Sequence, residues 1–530
     1  MDELKERLFH CITGSPWKKI GVRPHHGITI PLFSIHSESS CGVGEFLDLI
    51  PMIDWCHALK LDVIQLLPLN DCHVESDPSP YNSISSCALE FIYLSLHALP
   101  LLDKLPELRA RLSEYKKFNA FDNIAYADVF AYKKNWLTEY YAAVGEQVLE
   151  NEEFQQYLAS NPWLNYYALF KTLKISLQNI PWQTWPEDVR NPSAEKLKDL
   201  LHIHQKEVRF FLLLQFLCYT QLKAVKEYAK EKKVFLMGDI PFLVSVESAD
   251  VWQNIEFFDL HVAGGAPPDP FNEQGQNWGM PIFHWDALRK NQFQWWKQRL
   301  QYAENFFDLF RLDHVIGFFR VWAIPPHHPA KEGRFIPEEE KEWEKQGKEL
   351  LTMLASSTNM LPISEALGIV PEILHPYMDE MGICEIKLLR WERNWSGDKS
   401  YIPIQNYSPV SLTTVSTHDT ETLALWWKHS KNGTKDYAEH KHWELGRDLS
   451  PEQREEILWD SHHTSSLFHV NLLQEYLALF PELRWQNPDK DRINIPGTVS
   501  PSNWTFRFRP SIEEITSHKE LFQKMKKIIF

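Results

Sequence analysis

Three acidic residues stand where acids can do chemistry. Asp313 ends the run Phe306-Phe307-Asp308-Leu309-Phe310-Arg311-Leu312-Asp313, Glu365 ends Leu361-Pro362-Ile363-Ser364-Glu365, and Asp419 follows the β-branched stretch 411–416 within Thr417-His418-Asp419. Short, mostly apolar runs of this kind suit strands buried on both faces of a parallel sheet. Side chains alternate along a strand, so Arg311 faces the same way as Asp313. A guanidinium beside a carboxylate favours the ionised, nucleophilic form. One carboxylate as nucleophile and a second as general acid, then base, are what retaining glycoside chemistry requires; a third acid can hold the hydroxyls of a distorted sugar ring. Any one of these strand ends reads equally as a structural acid capping a strand. Three of them, with Arg-x-Asp and His-Asp neighbours, point to chemistry.

Acids 52 and 54 residues apart converge only if the strands carrying them alternate with helices around one cleft. A (β/α)8 barrel does this, with its active site at the C-terminal ends of the strands. Residues 27–35 read as a first strand, 46–61 as an amphipathic helix and 61–69 as a second strand, a βαβ unit that predicts parallel pairing. Residues 95–204 are patterned as helix without a clear strand and read as a helical insertion. A long helix over 205–231 leads into a third strand, 233–238, which ends at Asp239-Ile240-Pro241. A charged helix is expected over 337–354. Residues 264–285 are rich in Gly and Pro and read as a loop; with Phe271, Trp278, Phe283 and Trp285 they read as a lid over the cleft. Tyr81 stands in the loop Ser79-Pro80-Tyr81-Asn82-Ser83. The whole chain, 1–530, reads as one catalytic barrel with insertions.

The net charge of −16 argues against nucleic acid and anionic membrane partners. No apolar run reads as membrane-spanning. Aromatics at 13%, with 21 Trp, exceed packing needs and suit flat ligands edged with hydroxyls. The seven cysteines are scattered and never form C-x-x-C, which favours reduced thiols in a cytosol over disulfides or zinc. The charged N-terminus has no secretory signal, so the Asn432 and Asn503 glycosylation patterns read as chance. The pairs His25-His26, His327-His328 and His462-His463 lack metal-ligand spacing and read as loop histidines.

Ser79-Pro80-Tyr81, Gly238-Asp239-Ile240-Pro241, Ser248-Ala249-Asp250-Val251-Trp252, Pro267-Pro268-Asp269, Gly275-Gln276-Asn277-Trp278-Gly279, Arg311-Leu312-Asp313-His314, Glu365 with Leu367-Gly368, and Thr417-His418-Asp419 together resemble the 4-α-glucanotransferases. These are also called amylomaltases or disproportionating enzymes, of the α-amylase clan. The resemblance runs from Cys41-Gly42-Val43-Gly44 to Asn503-Trp504. It implies a (β/α)8 barrel with large, partly helical insertions and no separate C-terminal β-sandwich. It also implies α-1,4-glucan substrates and no cofactor or metal. By the same resemblance Asp313 is the nucleophile, Glu365 the acid/base and Asp419 the transition-state stabiliser. Tyr81, Asp239, Asp269, Gln276, Trp278, Arg311, His314 and His418 become substrate contacts or their immediate partners. The chain departs from the usual family pattern at Ala366, where an Asp commonly follows the acid/base, at Asn82 for Gln, and at Ile316 for Arg. Residues 311–322 resemble the branch that includes plant cytosolic maltose-using members, without that branch's appended starch-binding modules. Two other readings stand beside the transferase: an α-amylase-type hydrolase with the same acids, and a silent glucan-binding protein on the same fold.

Overall fold

The computed structural model describes residues 1–269, 272–368 and 370–530. Eight parallel strands close into a barrel. They are β1 (His25–Thr29), β2 (Val63–Gln65), β3 (Phe235–Ile240), β4 (Leu309–Leu312), β5 (Leu361–Ser364), β6 (Cys384–Leu388), β7 (Ser411–Thr414) and β8 (Phe468–Leu472). Each pairs with its neighbours in sequence, and β1 pairs with β8 to complete the ring. The fold is a (β/α)8 barrel with helical insertions.

Strand periodicity does the positioning. In β4, Leu309 packs into the barrel interior, while Phe310 and Leu312 join the surrounding layer. In β5, Leu361 and Ile363 pack inside. Continuing the two-residue period aims Arg311, then Asp313, and from β5 Glu365, into the mouth where the strands end. Asp239 of β3 lies in register with Arg311. The N-terminal helices Asp2–His10 and Gly14–Ile20 bring Leu8, Trp17 and Ile20 into the same interior cluster and seal the opposite end.

Between β2 and the helix Gln205–Glu231 the chain is helical over much of its length, including Tyr126–Tyr140, Glu152–Ser160 and Trp163–Ser176. Among the described residues no strand follows Leu472.

Several expectations need correction. The first strand begins at His25 and stops at Thr29, since Pro31 lacks the N–H a further ladder bond needs. The expected helix 46–61 is a 3-10 turn, Phe46–Asp48, followed by the helix Leu49–Leu59. Residues 264–285 are mostly not loop. Phe258–Ala266 and Gln276–Phe283 pair as antiparallel strands in a four-stranded sheet with Val321–Ile324 and Arg334–Ile336. A Cβ on Gly265 would come within 2.1 Å of the Gln276 carbonyl, so this glycine serves close strand pairing. Phe271 lies outside the described residues, and Trp285 opens a helix, Trp285–Lys290. The helix Gln205–Glu231 is long and apolar enough to cross a membrane by length and composition. It is instead largely buried, packed on the inserted helix Trp163–Ser176 and on β3. His25 and His26 belong to β1, and His462 ends the helix Pro451–His462, so these are not loop histidines.

Candidate active site

At the C-terminal mouth, one guanidinium organises four side chains. Arg311 donates to Asp239 at 2.8 and 3.1 Å and lies 2.9 Å from an Asp313 oxygen and 3.7 Å from Glu365. The Tyr81 hydroxyl donates to Asp239 at 2.8 Å. Arg311 and Asp239 are nearly inaccessible, whereas Asp313 and Glu365 keep 22% and 17% of their side chains open to the cleft. A buried charge group of this kind stands only as a set: removing one partner of a buried pair costs about 3–5 kcal/mol.

The end of β4 fixes Glu365. His314 adopts a left-handed backbone, φ 45° and ψ 54°, which costs a non-glycine residue about 1–3 kcal/mol. In that conformation its N–H donates to the Glu365 carboxylate at 2.9 Å. The Glu365 backbone N–H bonds to Leu312 O at 3.0 Å, and Val315 N–H bonds back to Glu365 O at 3.2 Å.

Environment separates the acids. Burial pushes the Glu365 carboxyl up to about 7, with Asp313 adding to the rise and Arg311 opposing it. A group poised near neutrality suits proton donation followed by proton acceptance. Asp239 is raised to about 6, again by burial against the opposing pull of Arg311. Burial would also raise Asp419, but His418 at 3.2 Å and the Asn494 amide, donating at 2.7 Å, outweigh it and hold this carboxyl below the usual range. The neutral form of His314 is favoured, its pKa down to about 4, because the ring is buried.

This is a cleft with one carboxyl poised to carry a proton beside two carboxylates of different environment. Residues 30–513 match the 4-alpha-glucanotransferase family. The chain belongs to that family. It is 44% identical to a 4-alpha-glucanotransferase of Chlamydia pneumoniae, covering 98% of each chain, and 42% identical to one of Chlamydia caviae, covering 97% of this chain and 96% of that one. Its fold overlays an amylomaltase from Streptococcus agalactiae in complex with acarbose with a TM-score of 0.80, at 25% identity, over 96% of this chain and 98% of that one.

In this family member Tyr81, Asp239, Arg311, Asp313, Glu365, His418 and Asp419 join one contact network. Tyr81 stacks on His418 at 5.2 Å and so links the β4 and β7 ends. Trp278 reaches the network through His314, edge to face at 4.8 Å, and its indole N–H donates to Gln276 at 3.2 Å. Asp269 sits in the turn between the long strands, where its carboxylate accepts the Asn272 N–H at 2.7 Å.

The site residues that sequence reasoning missed come from beyond β8. Besides the Asn494 amide on the Asp419 carboxylate, the Arg492 guanidinium donates to the Asp419 carbonyl at 2.9 Å. The Asn494 N–H donates to the His418 carbonyl at 3.2 Å. Trp504 lies 5.5 Å from Tyr81 and 5.8 Å from His418, closing an aromatic wall. The only trace of these roles in the sequence is the resemblance extending to Asn503-Trp504. Ala366 packs partly buried against the main core, and the Asn82 amide donates to Asp77 at 2.8 Å.

Proposed function

We propose that this 4-alpha-glucanotransferase moves segments of α-1,4-glucan by double displacement. Asp313 acts as nucleophile, Glu365 as acid/base and Asp419 as stabiliser of the oxocarbenium-like transition state. In the first step an Asp313 oxygen bonds to the anomeric carbon. The glycosidic bond breaks, and Glu365 gives its proton to the departing 4-oxygen. In the second step Glu365 takes the proton from an acceptor 4-hydroxyl as that oxygen displaces Asp313. The observation that carries this assignment is the shared Arg311 guanidinium, 2.9 Å from Asp313 and 3.7 Å from Glu365, with the Glu365 pKa raised to about 7. The related amylomaltase is in complex with acarbose, which supports a saccharide ligand for this chain too.

Transfer, rather than hydrolysis, requires an acceptor held in place of water. An aligned acceptor reaches effective molarities on the order of 10⁵ M or more, enough to outcompete bulk water. Trp278 offers a stacking face for it, with Asp269 and Gln276 as hydroxyl partners. The hairpin that carries them acts as the lid. The reaction places the protein in α-glucan and maltodextrin metabolism. Seven free cysteines, six of them buried, support a reducing, cytosolic setting.

Maltotriose tests the reading. Incubation with the pure protein should yield glucose and longer dextrins while total reducing ends stay constant. Reducing ends that climb in step with maltotriose loss would replace the transferase with a hydrolase.

A further inference from the structure

The loop that presents Asp419 is gripped from within the fold. It leaves β7 after Thr414 and ends where the helix Leu423–His429 begins. One carboxylate oxygen of Glu475 accepts the Ser416 hydroxyl at 2.7 Å and the Leu423 N–H at 2.9 Å, so both ends of the loop are drawn onto a single atom. The other oxygen accepts from the Arg454 guanidinium at 2.9 Å. Glu475, Ser416 and Arg454 are all buried. The preceding residue, Gln474, holds a second segment: its amide donates to the Asp491 carbonyl at 2.8 Å. Asp491 directly precedes Arg492 and lies three residues before Asn494, whose amide meets the Asp419 carboxylate. Gln474 and Glu475 both belong to the short helix Leu473–Leu477, which follows β8 directly.

We propose that Gln474 and Glu475 are positioning residues for the transfer reaction. Together they set Asp419 against the reacting sugar, Glu475 through the loop that carries it and Gln474 through the segment that covers it. The inference rests on the reading of Asp419 as transition-state stabiliser. Such a carboxylate has to be held to within about 0.5 Å of its productive place by groups that are themselves locked. A misplacement of about 1 Å, even one caused far from the chemistry, costs about 10²-fold in rate. The end of β8 is a rigid base for this task, because that strand is bonded to β1 on one side and on the other to β7, from which the Asp419 loop departs. A carboxylate is the suited group at 475. It accepts from two donors on one oxygen and keeps the other for a guanidinium. Stability alone is the poorer account of the buried Glu475–Arg454 pair, since apolar side chains of similar volume often stabilise a fold as well as a buried ion pair does.

Maltotriose kinetics across pH test this, with a urea unfolding midpoint for each protein. The variants are Gln474→Ala, Glu475→Gln, Asn494→Ala and the double variant Gln474→Ala/Asn494→Ala. Gln474→Ala changes no charge. It should lower kcat by about tenfold with KM within about twofold, and move the acidic limb of the profile to higher pH, as loss of the Asn494 contact does. Because Gln474 acts through the Asn494 segment, the double variant should be no slower than Asn494→Ala alone, within about twofold. Glu475→Gln keeps the length of the side chain but weakens the grip on Ser416 and Leu423, and should lower kcat by a similar factor. Where Glu475→Gln does not fold, Ser416→Ala replaces it, since that change breaks the same contact and leaves the Arg454 pair intact. A lowered urea midpoint with wild-type kcat and a wild-type acidic limb, in either residue's variant, overturns the proposal. So do losses that multiply in the double variant. Asp419→Asn serves as the control: near-wild-type turnover there removes the stabiliser reading on which the inference rests.

Discussion

At the end where its strands begin, the barrel is closed by carbon. Trp17 is fully buried against Phe468, with ring centroids 5.9 Å apart, and its indole N–H donates to the Gly382 carbonyl at 2.8 Å. Two histidines there are kept neutral. His26 stacks on His469 at 4.8 Å, and burial takes the two rings down to about 3 and about 4. At the end where the strands finish, the inward positions carry Asp239, Arg311, Asp313 and Glu365 instead. One strand and the residue after it make the whole change in five residues, from Leu309 through Arg311 to Asp313. Burial is common to both ends, so it does not decide the chemistry. What differs is access. The lower end pairs its charges, Asp62 with Arg23 and Asp308 with Lys19 and Lys226, away from any cleft, whereas the upper end leaves Asp313 and Glu365 partly open beside the buried Arg311. A group that must gain and lose a proton needs the second arrangement.

The sharpest way to break this contrast is at the upper end. Asp313→Asn should lower maltotriose turnover by at least about 10⁴-fold while glucan binding, measured by calorimetry, survives, because the isostere keeps the shape but cannot form the glycosyl-enzyme. A variant retaining a tenth of the wild-type rate would remove Asp313 from its role. Glu365→Gln should slow natural glucans by about 10²–10⁴-fold and slow a glucosyl fluoride much less in the first step, since fluoride leaves without protonation. In the proposed mechanism the acid form of Glu365 is the donor, and burial pushes its carboxyl up to about 7, so wild-type kcat/KM should fall as pH rises through about 7. That alkaline limb should be missing from the variant.

Next in size is the clamp from the C-terminal segment. A hydrogen bond to a charged group contributes about 1.5–3 kcal/mol, so Asn494→Ala should lower kcat by about 10–100-fold with little change in KM. The Asn494 amide helps hold Asp419 below the usual carboxylate range, so its loss should also move the acidic limb of the profile to higher pH. An unshifted limb with a normal kcat would make the Asn494 contact merely structural.

The lower end should respond in stability and not in rate. Trp17→Ala should cost about 3–5 kcal/mol in urea unfolding while kcat of the folded protein stays within about twofold, since Trp17 packs at the end of the barrel opposite the mouth. The histidines give the smallest effect. Held neutral when folded, they take up protons on unfolding once pH drops below their ordinary value of 6.5. Their contribution to stability is therefore intact above that pH and is lost as pH falls toward their folded values. His26→Asn should reduce proton uptake on unfolding at pH 5 by about one proton, measured by the pH dependence of the unfolding free energy. Equal uptake in the two proteins would mean that His26 is charged in the fold.

Much of this was legible from residue order alone. The apolar runs before Asp313 and Glu365 named two barrel strands whose ends meet at the mouth, and the helix over 205–231 formed at the residues expected. The strands β6 and β8 escaped because Glu385, Lys387, His469 and Asn471 interrupt their apolar character. Those polar groups are satisfied only across the fold: Glu385 by His375 at 2.8 Å, and the Asn471 amide by Ser461 at 2.9 Å. The hairpin around Trp278 was read as loop because glycine and proline signal turns locally, whereas Gly265 is there to let Gln276 approach.

The sequence by itself determined which side chains could act. Two-residue alternation aims Arg311 and Asp313 one way from β4 and Glu365 the same way from β5, and nothing distant is needed for that. Tertiary structure decided what those side chains are. Glu365 is a carboxyl near neutrality because burial acts on it against Arg311. Asp419 is a carboxylate held ionised because His418 stands 3.2 Å away and Asn494, 75 residues later, comes back over the mouth to meet it. A proton's affinity depends on the local dielectric and on charges a few ångströms away, and those distances exist only once the ring of strands has closed.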